Sequence, residues 1–296
     1  MKKTIIELKE LTKYYGKTRG IENISLRLSQ GEIFGLIGEN GAGKSTTIRT
    51  IMHLLNKTSG QVLINNKEFV KTDISIKESI GYLPSEICLY CDLTVKQMLN
   101  YHASFFKKST NTRRRKLVKL LKLDETKKIE DLSLGNLKKL GIVLAFMHQP
   151  QILILDEPTS GLDPIMQNVF YELIKEEKQK GTTILYSTHI LNEVSKICDR
   201  VGIIKDGRLI KVETVEDLTK QNLGIVTITS VEIERIIKEL KVEVIYKNET
   251  TVKFKNNLSH QDLLEKLTTY KIDKILIEDM NLEDMFLHYA RRDDNV

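Results

Sequence analysis

The chain has 296 residues, of which 41% are hydrophobic and 29% charged, and its net charge is +6. This supports a large apolar core with room for a second, smaller unit, and the basic excess is too mild for a dedicated nucleic-acid binder. The longest apolar runs, such as Ile142 to Met147, are far too short to span a bilayer, and no apolar stretch follows Lys2 and Lys3, so neither a spanning helix nor a signal peptide is expected and the chain reads as cytoplasmic.

In chain order, residues 3–9 and 22–28 alternate as strands do. The stretch "SQGEIFGLIGENGAGKSTTIRTIMHLL" then predicts a buried strand from Ile33 to Ile37, a glycine loop, and a helix from Ser45 to Leu55. Cys88 and Cys91 form a C-x-x-C with no second ligand pair at zinc spacing, so they read as reduced thiols. The basic run 107–123 places Leu117, Leu120 and Leu121 at helical spacing with no aromatic residues between the charges, which reads as a surface helix with solvated cations. "QILILDEP" and "TTILYSTH" are two further strands of parallel type, and "VGIIKDGRLIKV" is a hairpin closed on Asp206-Gly207.

From residue 221 the pattern changes to strand (225–229), helix (231–240), strands (241–246 and 251–255), helix (260–270) and strand (272–278), followed by a last helix (282–290). Ser259 and Asp262 resemble a capping box on the second of these helices. The order β-α-β-β-α-β predicts a small ferredoxin-like domain over 221–296, after a first domain over 1–220.

Gly38-Glu39-Asn40-Gly41-Ala42-Gly43-Lys44-Ser45 matches G-x-x-x-x-G-K-[ST] between an apolar strand and a helix. Backbone N–H groups of such a loop cradle phosphates, the lysine adds a point charge, and the serine hydroxyl can hold Mg²⁺. The strand Ile152 to Leu155 ends in Asp156 and Glu157. Asp156 suits the metal site, and Glu157 is placed to polarise a water that attacks the γ-phosphate. His189 follows a third strand, at the sheet edge where ligands bind in parallel sheets.

Tyr15, the loop 38–46, "LSLGN" (132–136), "LILDEPTSGLD" and "STH" together resemble an ABC transporter ATPase subunit over about residues 3–220. The resemblance implies a P-loop NTPase fold of the ABC type: a mixed α/β core sheet with flanking helices, an antiparallel β subdomain and a helical subdomain at about 84–150. It implies that Tyr15 stacks on adenine, with Tyr14 as a neighbouring competitor, and that Thr46 joins the phosphate loop. Ser160 to Asp163 resemble the loop that crosses the dimer interface, and His189 resembles the switch histidine. The implied mechanism sandwiches two ATP molecules between two such domains. Ser133, Gly135, Asn136 and Asp163 of one subunit then contact the nucleotide held by the other.

Two positions depart from the family pattern. Ser85 stands where a metal-touching glutamine is usual, so any link from it to Mg²⁺ needs a water. Leu134 replaces a glycine in L-S-G-G-Q, which removes backbone freedom and no donor, while Asn136 keeps an amide one methylene shorter. The tail "ILIEDMNLEDMFLHYA" resembles bacterial exporter ATPases for peptide antibiotics, drugs or sodium. That implies a separately encoded membrane permease as partner, a second ATPase copy or homologue, a peripheral place on the inner face of the membrane, and no nucleic acid. The alternatives are a soluble ABC ATPase acting on ribosomes or DNA, and a small-molecule kinase or GTPase. The single phosphate loop, the absence of room for a coiled coil between Lys44 and Asp156, and the lack of N-K-x-D weigh against these.

Overall fold

The computed structural model describes residues 3–106, 110–220, 224–240, 242–256, 258 and 260–279. The chain divides into two compact units, Met1–Glu213 and Thr214–Val296, a boundary slightly earlier than the one expected after residue 220. The helix expected at 282–290 and Ser259 of the expected capping box lie outside the described residues.

The first unit opens with two long antiparallel strands, β1 (Thr4–Tyr15) and β2 (Thr18–Ser29), then β3 (Ile33–Ile37), helix α1 (Lys44–Ile51), the short pair β4 (Ser59–Ile64) and β5 (Lys67–Glu68), helix α2 (Ile74–Glu78) and β6 (Ile80–Leu83). Helices α3 (Val95–Ala103), α4 (Asn111–Leu120) and α5 (Leu134–Phe146) follow, then β7 (Ile152–Asp156), α6 (Pro164–Gln179), β8 (Thr183–Thr188), α7 (Leu191–Ile197), β9 (Arg200–Lys205) and β10 (Arg208–Thr214). The core sheet has six strands in the order β10-β9-β3-β8-β7-β6, and the pairs from β9 through β6 are parallel. Strands β3, β7 and β8 are buried along their whole length, as a parallel sheet covered on both faces requires. A second, antiparallel sheet runs β2-β1-β4-β5, and its residues Ile6, Leu8, Leu11 and Ile24 join Phe34, Ile48, Ile51 and Ile154 in one apolar core. Asp206 (φ 47°) and Gly207 (φ 75°) both take left-handed backbone between β9 and β10, the geometry of a two-residue hairpin turn.

The basic run corrects the expectation of a fully solvated face. Arg113 and Arg114 of α4 are buried, Arg113 paired with Glu176 and Glu177 and Arg114 with Glu125. A guanidinium can be buried when carboxylates occupy its fork of donors, and those carboxylates come from elsewhere in the chain.

The second unit begins with α8 (Val215–Lys220), followed by β11 (Gly224–Thr229), α9 (Ile233–Leu240), β12 (Glu243–Lys247), β13 (Thr251–Asn256), α10 (His260–Leu267) and β14 (Lys274–Asp279). Its sheet order is β12-β13-β11-β14, all antiparallel, which is the split β-α-β arrangement. Val226, Ile228, Val252 and Phe254 face one side and pack with Ile233, Ile236, Leu263 and Leu267 of the helices, as period-two strands and an amphipathic helix face dictate.

Candidate functional site

The phosphate loop, Asp156, Glu157 and His189 follow the carboxyl ends of β3, β7 and β8, the edge on which ligands bind in such sheets. The loop after β3 turns through Gly41 (φ 83°) and Gly43 (φ 111°), conformations that side chains resist, and Gly43 is the N-cap of α1. A Cβ on Gly38 would lie 2.4 Å from the Ile204 carbonyl oxygen, so only glycine lets this loop lie against β9. The result exposes the first N–H groups of α1 to an anion. Lys44 is 4% exposed, and its Nζ donates to the carbonyls of Gly38 (2.8 Å) and Glu39 (3.0 Å). It thereby closes the loop on itself.

A cavity of about 340 Å³ opens beside this loop, lined among others by Lys44, Ser45, Thr46, Ser85, Glu157 and Ser160. The Glu157 carboxylate reaches toward both a cation and a histidine: its Oε1 lies 3.6 Å from Lys44 Nζ and 3.2 Å from His189 Nδ1. Glu157 also sits at φ 46°, an uncommon conformation for a residue with a side chain. Its N–H donates to the carbonyl and the hydroxyl of Ser187, both at 3.2 Å.

Asp156 is completely buried at the end of β7. Its Oδ1 accepts from Ser187 Oγ at 2.5 Å, and its Oδ2 has no hydrogen-bond partner among the described residues. A buried carboxylate oxygen left unpaired is costly unless something else satisfies it. A hard divalent cation or its water fits that oxygen chemically.

The signature segment lies outside the residues that line this cavity. Ser133 is the N-cap of α5 and accepts from Asn136 N–H at 3.4 Å. Leu134 is the first residue of the helix and 67% exposed. Its backbone is helical, so the family's glycine is not needed there for conformation. Gly135 packs against the Ser160–Asp163 loop, since a Cβ on it would lie 2.8 Å from the Gly161 carbonyl oxygen. Asp163 caps α6 by accepting from Met166 N–H at 2.9 Å, with Pro164 in the first turn.

Tyr15 ends β1 and is 46% exposed, and it flanks Gly20 together with Thr46 of the phosphate loop. Tyr14 is engaged elsewhere: its hydroxyl donates to Glu22 at 2.6 Å, and that bond raises its pKa above the ordinary phenol value.

Two buried charged residues escaped the sequence reading. Lys138 is 2% exposed on α5, and its Nζ donates to the carbonyls of Ser85 (2.9 Å) and Glu157 (3.3 Å). Burial pulls its pKa below the ordinary lysine value, against the attraction of Asp156 and Glu157. Its signal was available: Gly141 and Ala145, which face β6 and the loop after it, lie three and seven residues after Lys138, on the same face of the helix. Glu193 of α7 accepts from four hydroxyls, those of Thr159, Tyr171, Tyr186 and Thr188. It links the loop after Glu157 to the strand end before His189. Thr159 and Tyr171 lie 34 and 22 residues before it in the chain, so no local pattern announces the full set.

A phosphate loop, an acidic strand end and a histidine converging on one sheet edge, with a separate capped helix start, define a P-loop ATPase of the ABC class. Comparison with known proteins agrees. The family model described as "ABC transporter" matches residues 21–160. A second model, described as an AAA domain (putative AbiEii toxin, Type IV TA system), matches residues 128–195. The linearmycin resistance ATP-binding protein LnrL of Bacillus subtilis is 33% identical, over 97% of this chain and 99% of its own length. The bacitracin transport ATP-binding protein BcrA of Bacillus licheniformis is 38% identical over 74% of this chain and 72% of its own. A solved structure titled as the ATP binding subunit of an ABC transporter superposes with a TM-score of 0.69 at 32% identity, covering 73% of this chain and 92% of that one. The dimeric structure of MJ0796, a bacterial ABC transporter cassette, gives 0.65 at 25% identity, covering 71% and 99%. The chain belongs to the ATP-binding proteins of ABC transporters, and it is an ATPase. No helix among the described residues is long and apolar enough to cross a membrane.

Proposed function

We propose that this chain powers an exporter of antibiotic-class small molecules, with two ATPase subunits closing on two ATP molecules beneath a separately encoded membrane permease. The observation that carries the reading is the approach of Lys44 and His189 to the same oxygen of Glu157, beside a cavity lined by the phosphate loop. Names of similar proteins, for linearmycin resistance and bacitracin transport, supply the cargo class. They give no support to a soluble ATPase working on ribosomes or DNA.

In this reading residues 38–46 hold the phosphates through backbone N–H groups and the Lys44 ammonium. Tyr15 offers its exposed ring to the adenine. Glu157 accepts a proton from the attacking water, and His189, within hydrogen-bond distance of it, orients that carboxylate and meets the γ-phosphate. Ser45 and Asp156 would hold Mg²⁺, with Ser85 reaching it only through water. Bound there, the ion supplies neutralisation of the charge that grows on the phosphate oxygens. Ser133, Gly135 and Asn136 present the start of α5 to the nucleotide of the second subunit, and Asp163 lies on the loop between the two.

The permease contact falls on residues 84–105, at the inner face of the membrane. Tyr90, Tyr101 and Phe105 are exposed there in an edge-to-face row, with centroids 5.8 Å and 5.0 Å apart. Exposed aromatics in contact with one another are what an interface core offers.

Glu157→Gln tests the assignment of the base. Turnover should fall about 10³-fold, with ATP affinity retained, as measured by steady-state hydrolysis and equilibrium nucleotide binding. Near-normal turnover would remove Glu157 from the role.

A further inference from the structure

Lys138 is a buried charge that the reading above does not use. It is followed, after Lys139, by the apolar and glycine residues 140–146 of α5, and no carboxylate oxygen among the described residues lies within ion-pair distance of its Nζ. Burying an ammonium in such a place is costly unless its donors are used. They are used on two backbone carbonyls, that of Ser85 at 2.9 Å and that of Glu157 at 3.3 Å.

These two carbonyls belong to different parts of the machine. Ser85 is in the loop that lines the cavity and continues into the exposed aromatic row. Glu157 carries the base on a left-handed backbone, φ 46°. Its two flanking peptide planes are each fixed from outside: Ser187 accepts from the N–H on one side, and Lys138 donates to the carbonyl on the other. Fixing both planes fixes the direction in which the side chain leaves Cα. Tight packing makes the connection stiff. A Cβ on Gly141 of α5 would lie 2.5 Å from Ile87 Cδ1, and one on Gly81 of β6 would lie 2.1 Å from the Ala145 carbonyl oxygen. Helix α5 therefore cannot move against β6 or the Ser85–Ile87 loop without carrying them along.

We propose that Lys138 is a positioning residue for hydrolysis, tying the Ser85 loop, the signature helix and the strained backbone of Glu157 into one rigid unit. The inference rests on the reading of Glu157 as the base. It assigns to a lysine on the signature helix the link between loop 85 and the catalytic carboxylate.

The test uses the full chain with Lys138→Met, which keeps the apolar stem and loses the donors, and Lys138→Gln, which keeps a shorter donor. Glu157→Gln is measured beside them. The readouts are kcat, KM for ATP, and the thermal shift induced by ATP. Misplacement of a reacting group by about 1 Å costs about 100-fold, so kcat should fall about 10- to 100-fold in Lys138→Met and less in Lys138→Gln. KM and the thermal shift should stay unchanged in both. If the methionine variant does not fold, the glutamine variant decides by the same readouts. The proposal is overturned if kcat is unchanged, or if it falls only together with the loss of the ATP-induced shift, which marks a general structural role. Unchanged turnover in Glu157→Gln would instead overturn the reading of the base.

Discussion

The core sheet has charged clusters at both ends, and they are built on opposite principles. At the amino ends of β7 and β8, a cavity of about 490 Å³ is lined by Arg113, Glu177 and Lys180, among others. Its charges are matched: Arg113 pairs with Glu177, and Lys180 pairs with Glu177 at 3.0 Å and with Glu176 at 2.7 Å. At the carboxyl ends, where the smaller cavity opens, Asp156 Oδ2 has no hydrogen-bond partner among the described residues, Glu157 is on strained backbone and His189 is exposed. Size and charge do not distinguish a functional site here. The carboxylates do: Glu177 is held between Arg113 and Lys180, whereas Asp156 keeps one buried oxygen without a partner among the described residues, a cost that a bound cation would offset.

The sharpest way to break this contrast is to remove one cation from each end. Arg113→Ala leaves Glu177 buried with only Lys180 as partner, and should cost about 3 kcal/mol of stability in denaturant unfolding, with KM for ATP unchanged. Lys44→Ala should do the reverse. ATP affinity should fall about 100-fold, the loss of a charge-assisted contact worth about 3 kcal/mol, with a smaller loss of stability than Arg113→Ala. Equal stability losses with no change in ATP affinity would erase the distinction between the two ends.

A pH experiment sharpens the amino-end side. His148 stacks on Phe106 at 4.2 Å, and its Nε2–H donates to the Ile80 carbonyl at the start of β6. Burial, with His102 nearby, pulls its pKa from the ordinary 6.5 down to about 4. The folded value is the lower one, so the unfolded chain binds the proton first on acidification. The contribution is whole above pH 6.5 and is lost as pH falls toward 4. Thermal unfolding of His148→Phe should show a fall over that window smaller by about 1–2 kcal/mol than that of the unaltered chain.

The smallest expected effect concerns α5. Ser133→Ala removes an N-cap worth about 1 kcal/mol, and ATP-dependent dimerisation, followed by gel filtration in the Glu157→Gln background, should weaken. An unchanged dimer would show that this helix start does not meet a second nucleotide.

Much of the site was legible because its residues are contiguous. Gly38 to Ser45, Asp156-Glu157 and His189 each follow a run of buried-strand residues, and the structure brings Lys44, Glu157 and His189 together. Leu134 was legible as a change without loss of a donor, and its helical position shows why the side chain is tolerated. The resemblance pointed to Tyr15 for the adenine, but the engagement of its neighbour Tyr14 was not legible. Alternation alone does not say which of two adjacent rings a distant glutamate will engage, and Glu22 engages Tyr14. The burial of Arg113 and Arg114 was missed for the same reason, since Glu176 and Glu177 lie on α6 and Glu125 beyond the end of α4.

By itself the sequence determined the parallel core, the glycine loop, the acidic strand end and the β-α-β-β-α-β order of the second unit. Each of these rests on local periodicity or on a backbone requirement that only certain residues meet. Tertiary structure alone decided which charges are paired and which are left open: Lys138 on two carbonyls, Glu193 beneath four hydroxyls, Asp156 with one oxygen unpaired. Pairing depends on distances between segments far apart in the chain, and only the folded packing sets those distances.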